Sequence, residues 1–147
     1  MRVVLDANVL ISATLISNGI PARVLDAWRD HRYELLLSPQ ILDEVADVIR
    51  RPRIRKRHGW SDEEIETFLE GFRVFGIITP GELEVNEIED DPDDNIYLAC
   101  AAEGAADYIV SGDSHLQDLI AYQEIPIVTP RRFWEILQAG ISSADSG

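Results

Sequence analysis

Cysteine is almost absent from this chain. Cys100 is the single one in 147 residues, which excludes an internal disulfide and a cysteine-rich zinc site. Histidine is scarce too. His31, His58 and His115 stand far apart in sequence, so no histidine cluster points to a soft metal, and each reads as a surface residue. No apolar run approaches the ~20 residues needed to span a bilayer, so no membrane association is expected. The chain starts Met-Arg and runs straight into "VVLDANVL" without a cleavage-site pattern. No signal peptide is therefore expected, and a cytoplasmic protein is the default. Lysine occurs once, at Lys56, and every other basic residue is arginine. The formal net charge of −14 argues against a simple nucleic-acid binder, because phosphate contacts need cations. Several of the cations are nevertheless gathered in "RRPRIRKRHG", Arg50 to Gly59. The charge is segregated, and its total is a poor guide to the local surface.

What the chain does have is a regular alternation of short apolar runs and helical stripes. "RVVLD" (Arg2–Asp6), "YELLLS" (Tyr33–Ser38), "IITP", "DYIVSGD" and "IPIVTP" read as buried strands. Between them lie helices. Val24, Leu25 and Trp28 share one helical face. A second helix opens at Pro39 and places Ile41, Leu42, Val45, Val48 and Ile49 at helical spacing, with Pro52 ending it. Ser61 followed by Glu64 is a capping box, and Ile65, Phe68, Leu69 and Phe72 line the helix after it. "SHLQDLIAY" reads as a short helix and "RRFWEILQ" as the last one. Strands alternating with helices imply an α/β fold, a parallel sheet of about four to five strands covered on both faces. The length suits one domain, residues 1–140, with 141–147 as a frayed tail.

One stretch stands apart. "IEDDPDDNIYLACAA", Ile88 to Ala102, crowds four Asp and one Glu into six residues ahead of an apolar run. Capping accounts for part of this. Asp91 suits an N-cap, Pro92 the first helical position, and Asp93 and Asp94 the positive end of the helix dipole. Such capping explains one or two acids well and a cluster poorly. In parallel sheets ligands bind beyond the carboxyl ends of the strands, and that rule selects which acids to collect. Asp6 ends the first strand, Asp113 lies just past "YIVS", and Asp94 is in the first turn of the helix between. On the helix Pro39–Arg51, a rotation of ~100° per residue puts Glu44 beside Val48 at the border of the apolar stripe, whereas Asp43 and Asp47 point away. Oxygen ligands from four separate segments suit Mg²⁺ or Mn²⁺.

In this order and context the acids resemble those of the PIN-domain ribonucleases. "VVLDANVLIS" carries Asp6, "SPQILDEVADVI" carries Glu44, "DDPDDNIYLACA" carries Asp94 and "DYIVSGDSHL" carries Asp113. The match runs from about residue 1 to about residue 138, and its nearest look is to bacterial and archaeal toxins of toxin–antitoxin pairs. The resemblance implies a three-layer α/β/α sandwich and hydrolysis of RNA phosphodiester bonds. It also implies one or two Mg²⁺ or Mn²⁺ ions held by Asp6, Glu44, Asp94 and Asp113, a small antitoxin protein as partner, and a homodimer. Asn8, Ser12, Asn95 and Ser111 are weaker candidates, either hydrogen-bonding the acids or capping turns. One departure is notable. Many members carry a further acid two residues after the fourth Asp, and here that position is His115.

The segment Arg50, Arg51, Arg53, Arg55, Lys56 and Arg57, with Trp60 beside it, is the candidate RNA grip. Read otherwise, it is a solvated helix end and loop, or an antitoxin contact. Two rival functions come from other classes. A non-catalytic PIN-like module would keep the apolar pattern yet tolerate losing an acid, and all four are present. A phosphate-handling receiver or phosphatase domain needs an acid pair or Asp-x-Asp at the first strand end and a lysine beyond a later strand. "LDANVL" lacks the pair, and Lys56 lies in the basic segment. A dinucleotide fold lacks its glycine-rich first turn.

Overall fold

The computed structural model describes the backbone of residues 1–146 and the side chains of residues 1–140. The tail expected at 141–147 falls outside the residues whose side chains are described. The elements in chain order are β1 (Arg2–Leu5), α1 (Ala7–Leu15), α2 (Ile20–Arg29), β2 (Glu34–Leu37), α3 (Pro39–Ile49), α4 (Pro52–His58), α5 (Asp62–Phe75) and β3 (Ile77–Ile78). A 3-10 turn (Pro92–Asp94) then leads into α6 (Asn95–Gly104), β4 (Tyr108–Val110), α7 (Ser114–Asp118), β5 (Ala121–Tyr122), β6 (Ile125–Val128) and α8 (Pro130–Ser146).

The strands form one sheet in the order β3-β2-β1-β4-β6-β5. All pairs are parallel except β5–β6, which is antiparallel. Helices flank the sheet, giving the expected three-layer α/β/α arrangement. Val3, Val4, Leu5, Leu35, Leu36, Leu37, Ile109 and Val110 are buried, as strands covered on both faces must be. The helical stripes read from spacing face this core. Ile41, Val45, Val48 and Ile49 of α3 are buried, as are Ile65, Phe68, Leu69 and Phe72 of α5. The capping box forms, with the Glu64 amide donating to Ser61 Oγ and the Ser61 amide donating to Glu64 Oε1.

Three local expectations need correction. The basic segment is not a helix end running into a loop. Pro52 opens a new helix, α4, as an N1 proline can, and Gly59 closes it with φ 67°. The stretch after Ser114 is not one helix. It ends at Asp118, and positive φ at Ile120, Gln123 and Glu124 turns the chain through a two-residue antiparallel strand that adds a sixth member to the sheet. His58 is not a free surface group. Its Nδ1 accepts from the Trp60 amide at 2.9 Å, and Nε2 lies 3.0 Å from the Ile49 carbonyl, so the ring holds the ends of α3 and α4 together.

Topology fixes where a ligand meets the sheet. From β1 the chain steps outward to β2 and β3, then returns to place β4 on the other side of β1. The order reverses between β1 and β4, and the crevice beyond their carboxyl ends is the switch point. Helix α6 packs on β1, β2 and β4. It approaches closely because Gly104 has no side chain. A Cβ there would lie 2.6 Å from Leu36 Cδ1 and 2.9 Å from Cδ2, and Leu36 is fully buried, so its methyls would have to shift within the packed core. Gly104→Ala is therefore expected to lower stability by about 1–3 kcal/mol through overpacking, despite alanine's better helix propensity. Urea unfolding followed by circular dichroism checks this; an unchanged or raised midpoint contradicts it.

Candidate metal centre

Strand β1 ends by delivering Asp6 to the switch point. Its amide donates to the Val110 carbonyl at 3.0 Å, which continues the β1–β4 ladder by one residue and fixes the carboxylate opposite Ser111. Asp6 is buried. The Asn8 amide donates to its Oδ1 at 2.8 Å, and Ser111 Oγ donates to its Oδ2 at 2.6 Å. Each oxygen keeps a further acceptor site. Burial raises the Asp6 carboxyl above the usual carboxylate range, and Asp113 and Asp91 push the same way against these two hydrogen bonds.

Ser111 is the joint between the two strand ends. Besides donating to Asp6, its Oγ accepts from the Asp113 amide at 2.9 Å. Asp113 then caps α7, its Oδ1 accepting from the amides of His115 (2.8 Å) and Leu116 (3.3 Å).

Asp94 sits differently. It occupies the N-cap position of α6 but has helical dihedrals, φ −74° and ψ −17°, and makes no capping hydrogen bond. A capping side chain needs an extended backbone at that residue, so the preceding 3-10 turn rules out a cap role. Asp91, the other expected cap, also makes no side-chain cap bond. Asp94 is only 9% exposed, and its Oδ2 is buried without a hydrogen-bond partner. Leaving a buried acceptor unmet costs about 1–3 kcal/mol, more when it is charged. Burial pushes the Asp94 carboxyl up to about 7, helped by a hydrogen bond shared with Asp113 and by the charges of Asp113, Asp91 and Asp6.

Four side chains converge here. One ligand atom each from Asp91, Asp94, Asp113 and His115 lie within 4.8 Å of one another. Asp94 and Asp113 were expected in this group. Asp91 was read as a cap, which its lack of a cap bond corrects; His115 was read as a surface residue, and it is exposed. Although His115 is exposed, its Nδ1 lies 3.6 Å from Asp113 Oδ1 and 3.9 Å from Asp91 Oδ2. Asp6 adjoins the group, near enough for its charge to act on Asp94.

Glu44 is half-buried while Asp43 and Asp47 are exposed, as the helical rotation indicates. Its charge reaches Tyr97, a residue not singled out from sequence. The Tyr97 hydroxyl accepts from the Ala7 amide at 3.2 Å. Burial raises its proton affinity, with Asp6, Glu44 and Asp94 adding to the effect. Tyr97 feels the charge of three of the four expected acids, although the close group around Asp94 and Asp113 includes neither Glu44 nor Asp6. Its place was hidden because a tyrosine in an apolar helix reads as core.

Of the weaker candidates, Ser111 contacts two of the acids. Asn8 touches Asp6 through its backbone alone, and its side chain is exposed. Asn95 instead pins the acidic loop, donating to the Ile88 carbonyl at 2.9 Å and accepting from the Ile88 amide at 2.8 Å. No side-chain bond from Ser12 to the acids is present among the described residues. A cleft of about 1000 Å³ lies elsewhere, lined by Trp28, Trp60, Phe68, Phe72 and Phe75. Its acids, Glu63 and Glu64, belong to the first turn of α5, so the chemistry points to the switch point instead.

The sequence profile of the family described as PIN domain matches residues 2–115. The chain is also 31% identical over 153 aligned residues to an uncharacterised protein, MJ1680, of Methanocaldococcus jannaschii, covering 97% of this chain and 95% of that protein.

The raised Asp94 value predicts a pH signature without metal. Between the unfolded value of 3.8 and the folded value of about 7, the native state holds more protons than the unfolded state, so stability falls as pH rises through that window. In chelator, wild type should lose more stability between about pH 5 and about pH 7.5 than Asp94→Asn does. Urea midpoints at the two pH values measure the difference, and equal losses contradict the assignment.

Proposed function

Because the chain belongs to the PIN-domain family of nucleases, we propose that it is a metal-dependent endoribonuclease whose centre lies beyond β1 and β4. The single observation that carries this reading is Asp94 Oδ2, buried and unpaired among other carboxylates. A divalent cation supplies the partner that no protein donor provides. All-oxygen donors fit Mg²⁺ or Mn²⁺, and Asp94, Asp113, Asp6 and Glu44 would hold one or two ions. When bound, such an ion makes a nucleophilic water available at neutral pH and neutralises charge developing on the scissile phosphate.

The chain's own residues do the rest. Ser111 orients the Asp6 carboxylate and, through the Asp113 amide, sets the spacing between the two strand ends. Tyr97 keeps its proton and braces the start of α1 at Ala7. Without a cation the acids repel a phosphodiester; with one, the site accepts it.

Backbone phosphates away from the cut are assigned to α4, which packs against α1 and α3, the helices next to Asp6 and bearing Glu44. Arg50, Arg51 and Arg55 pair with Glu66, Asp47 and Asp62. Among the described residues no carboxylate pairs with Arg53, Lys56 or Arg57, so these three are the grip. On the same resemblance we extend the reading to the toxin half of a toxin–antitoxin pair, acting as a homodimer. A small protein encoded beside this chain that binds it and blocks cleavage supports that extension, and the lack of one removes it.

Purified protein should cut single-stranded RNA in Mn²⁺ or Mg²⁺ and stop in excess chelator. Asp6→Asn and Asp94→Asn should each reduce cleavage at least a hundredfold, about 2.7 kcal/mol in the barrier, with unchanged circular dichroism. Cleavage that survives chelation contradicts the mechanism. Replacing Arg53, Lys56 and Arg57 with Ser should weaken RNA binding and lower its salt slope by about two to three, since fewer counterions are released. An unaltered slope would assign α4 to another role.

A further inference from the structure

We propose that Asp91 and His115 complete a cation position with Asp94 and Asp113, and that its imidazole donor makes the site prefer Mn²⁺ over Mg²⁺. This rests on the metal-centre reading above and deepens it.

Four observations support the assignment. The first is reach. Two ligands of one six-coordinate ion at ~2.1 Å are at most about 4.2 Å apart. His115 Nδ1 is 3.6 Å from Asp113 and 3.9 Å from Asp91, already inside that limit, and the whole set lies within 4.8 Å. The second is the orphaned Asp94 Oδ2, more than nine-tenths buried. It calls for a positive partner within the same group, which no protein donor supplies. The third is that neither loop acid performs the task that explains it otherwise. Asp91 makes no cap bond, and Asp94 has the wrong backbone for one. The fourth is support from behind. Asn95 fixes Ile88, and Glu103 accepts from the amides of Gly81, Glu82 and Leu83. The acidic loop is thus tied to α6 at both ends and presents Asp91 at a set place.

Selectivity follows from donor type. Mg²⁺ takes oxygen ligands and gives up water reluctantly, whereas an imidazole nitrogen suits first-row transition ions, of which Mn²⁺ binds least tightly yet accepts nitrogen more readily than Mg²⁺. Three carboxylates and one imidazole nitrogen therefore discriminate where four carboxylates would not.

The test is metal binding to the full chain, independent of turnover. Titration calorimetry should show wild type binding Mn²⁺ more tightly than Mg²⁺, and His115→Asn should reduce that ratio by about tenfold or more. Asp91→Ala should weaken both ions. Pulsed EPR of the Mn²⁺-loaded protein should show modulation from a directly bound nitrogen, absent in His115→Asn. The outcomes separate cleanly. If wild type binds Mn²⁺ and Asp94→Asn does not, while His115→Asn keeps the ratio and no nitrogen signal appears, the histidine assignment is overturned and the nuclease reading stands. If wild type binds neither ion, both fall.

Discussion

Mutual repulsion among carboxylates at the crevice beyond β1 and β4 is the constraint around which the rest is arranged. The sheet reversal brings Asp6 and Asp113 together, and the close approach of α6, permitted by Gly104, adds Asp94. The 3-10 turn of Pro92–Asp94 gives Asp94 helical dihedrals, so its carboxyl faces the other acids and not the helix amides. None of these placements lowers the energy of the empty site. Burial that leaves Asp94 Oδ2 unmet is costly on any account, and the surrounding core must offset it. On the proposed reading, a cation would turn the same geometry from a cost into a binding site.

The rest of the local chemistry holds that geometry rather than relaxing it. Ser111 and Tyr97 are both buried and hydrogen-bonded, and neither carries charge that could neutralise the acids. Asn95 and Glu103 anchor the acidic loop from α6. Cations could have filled the crevice, yet six of the thirteen basic residues lie between Arg50 and Arg57, where Arg50, Arg51 and Arg55 are already paired with surface acids. On the proposed reading, charge segregation of this kind would keep the cation position open while leaving a positive face for a polyanion.

Much of this was legible in the sequence because it depends on periodicity and strand ends. Residues at strand ends in a parallel sheet must meet at one edge, so the strand pattern alone places Asp6 and Asp113 together. A helical rotation separated Glu44 from Asp43 and Asp47. What was not legible depends on backbone detail. Asp-Pro-Asp-Asp has good capping chemistry, and only the 3-10 geometry shows that Asp91 and Asp94 do not cap. His115 is far from the other histidines in sequence and exposed, yet the helix that Asp113 caps brings it to the same cluster. Strand β5 has two residues and no alternation to detect, and α4 is a helix made almost wholly of polar residues, with no apolar stripe to reveal it.

The most direct test of the central claim is thermal melting of wild type, Asp94→Asn and Asp43→Asn, each with and without millimolar Mn²⁺. Without metal, Asp94→Asn should melt at or above the wild-type temperature, because neutralising one acid relieves repulsion. With Mn²⁺, wild type and Asp43→Asn should gain alike, by about 2.7 kcal/mol at a hundredfold excess over Kd, while Asp94→Asn gains far less. An equal response of wild type and Asp94→Asn would show that Asp94 holds no cation and would contradict the account at its centre.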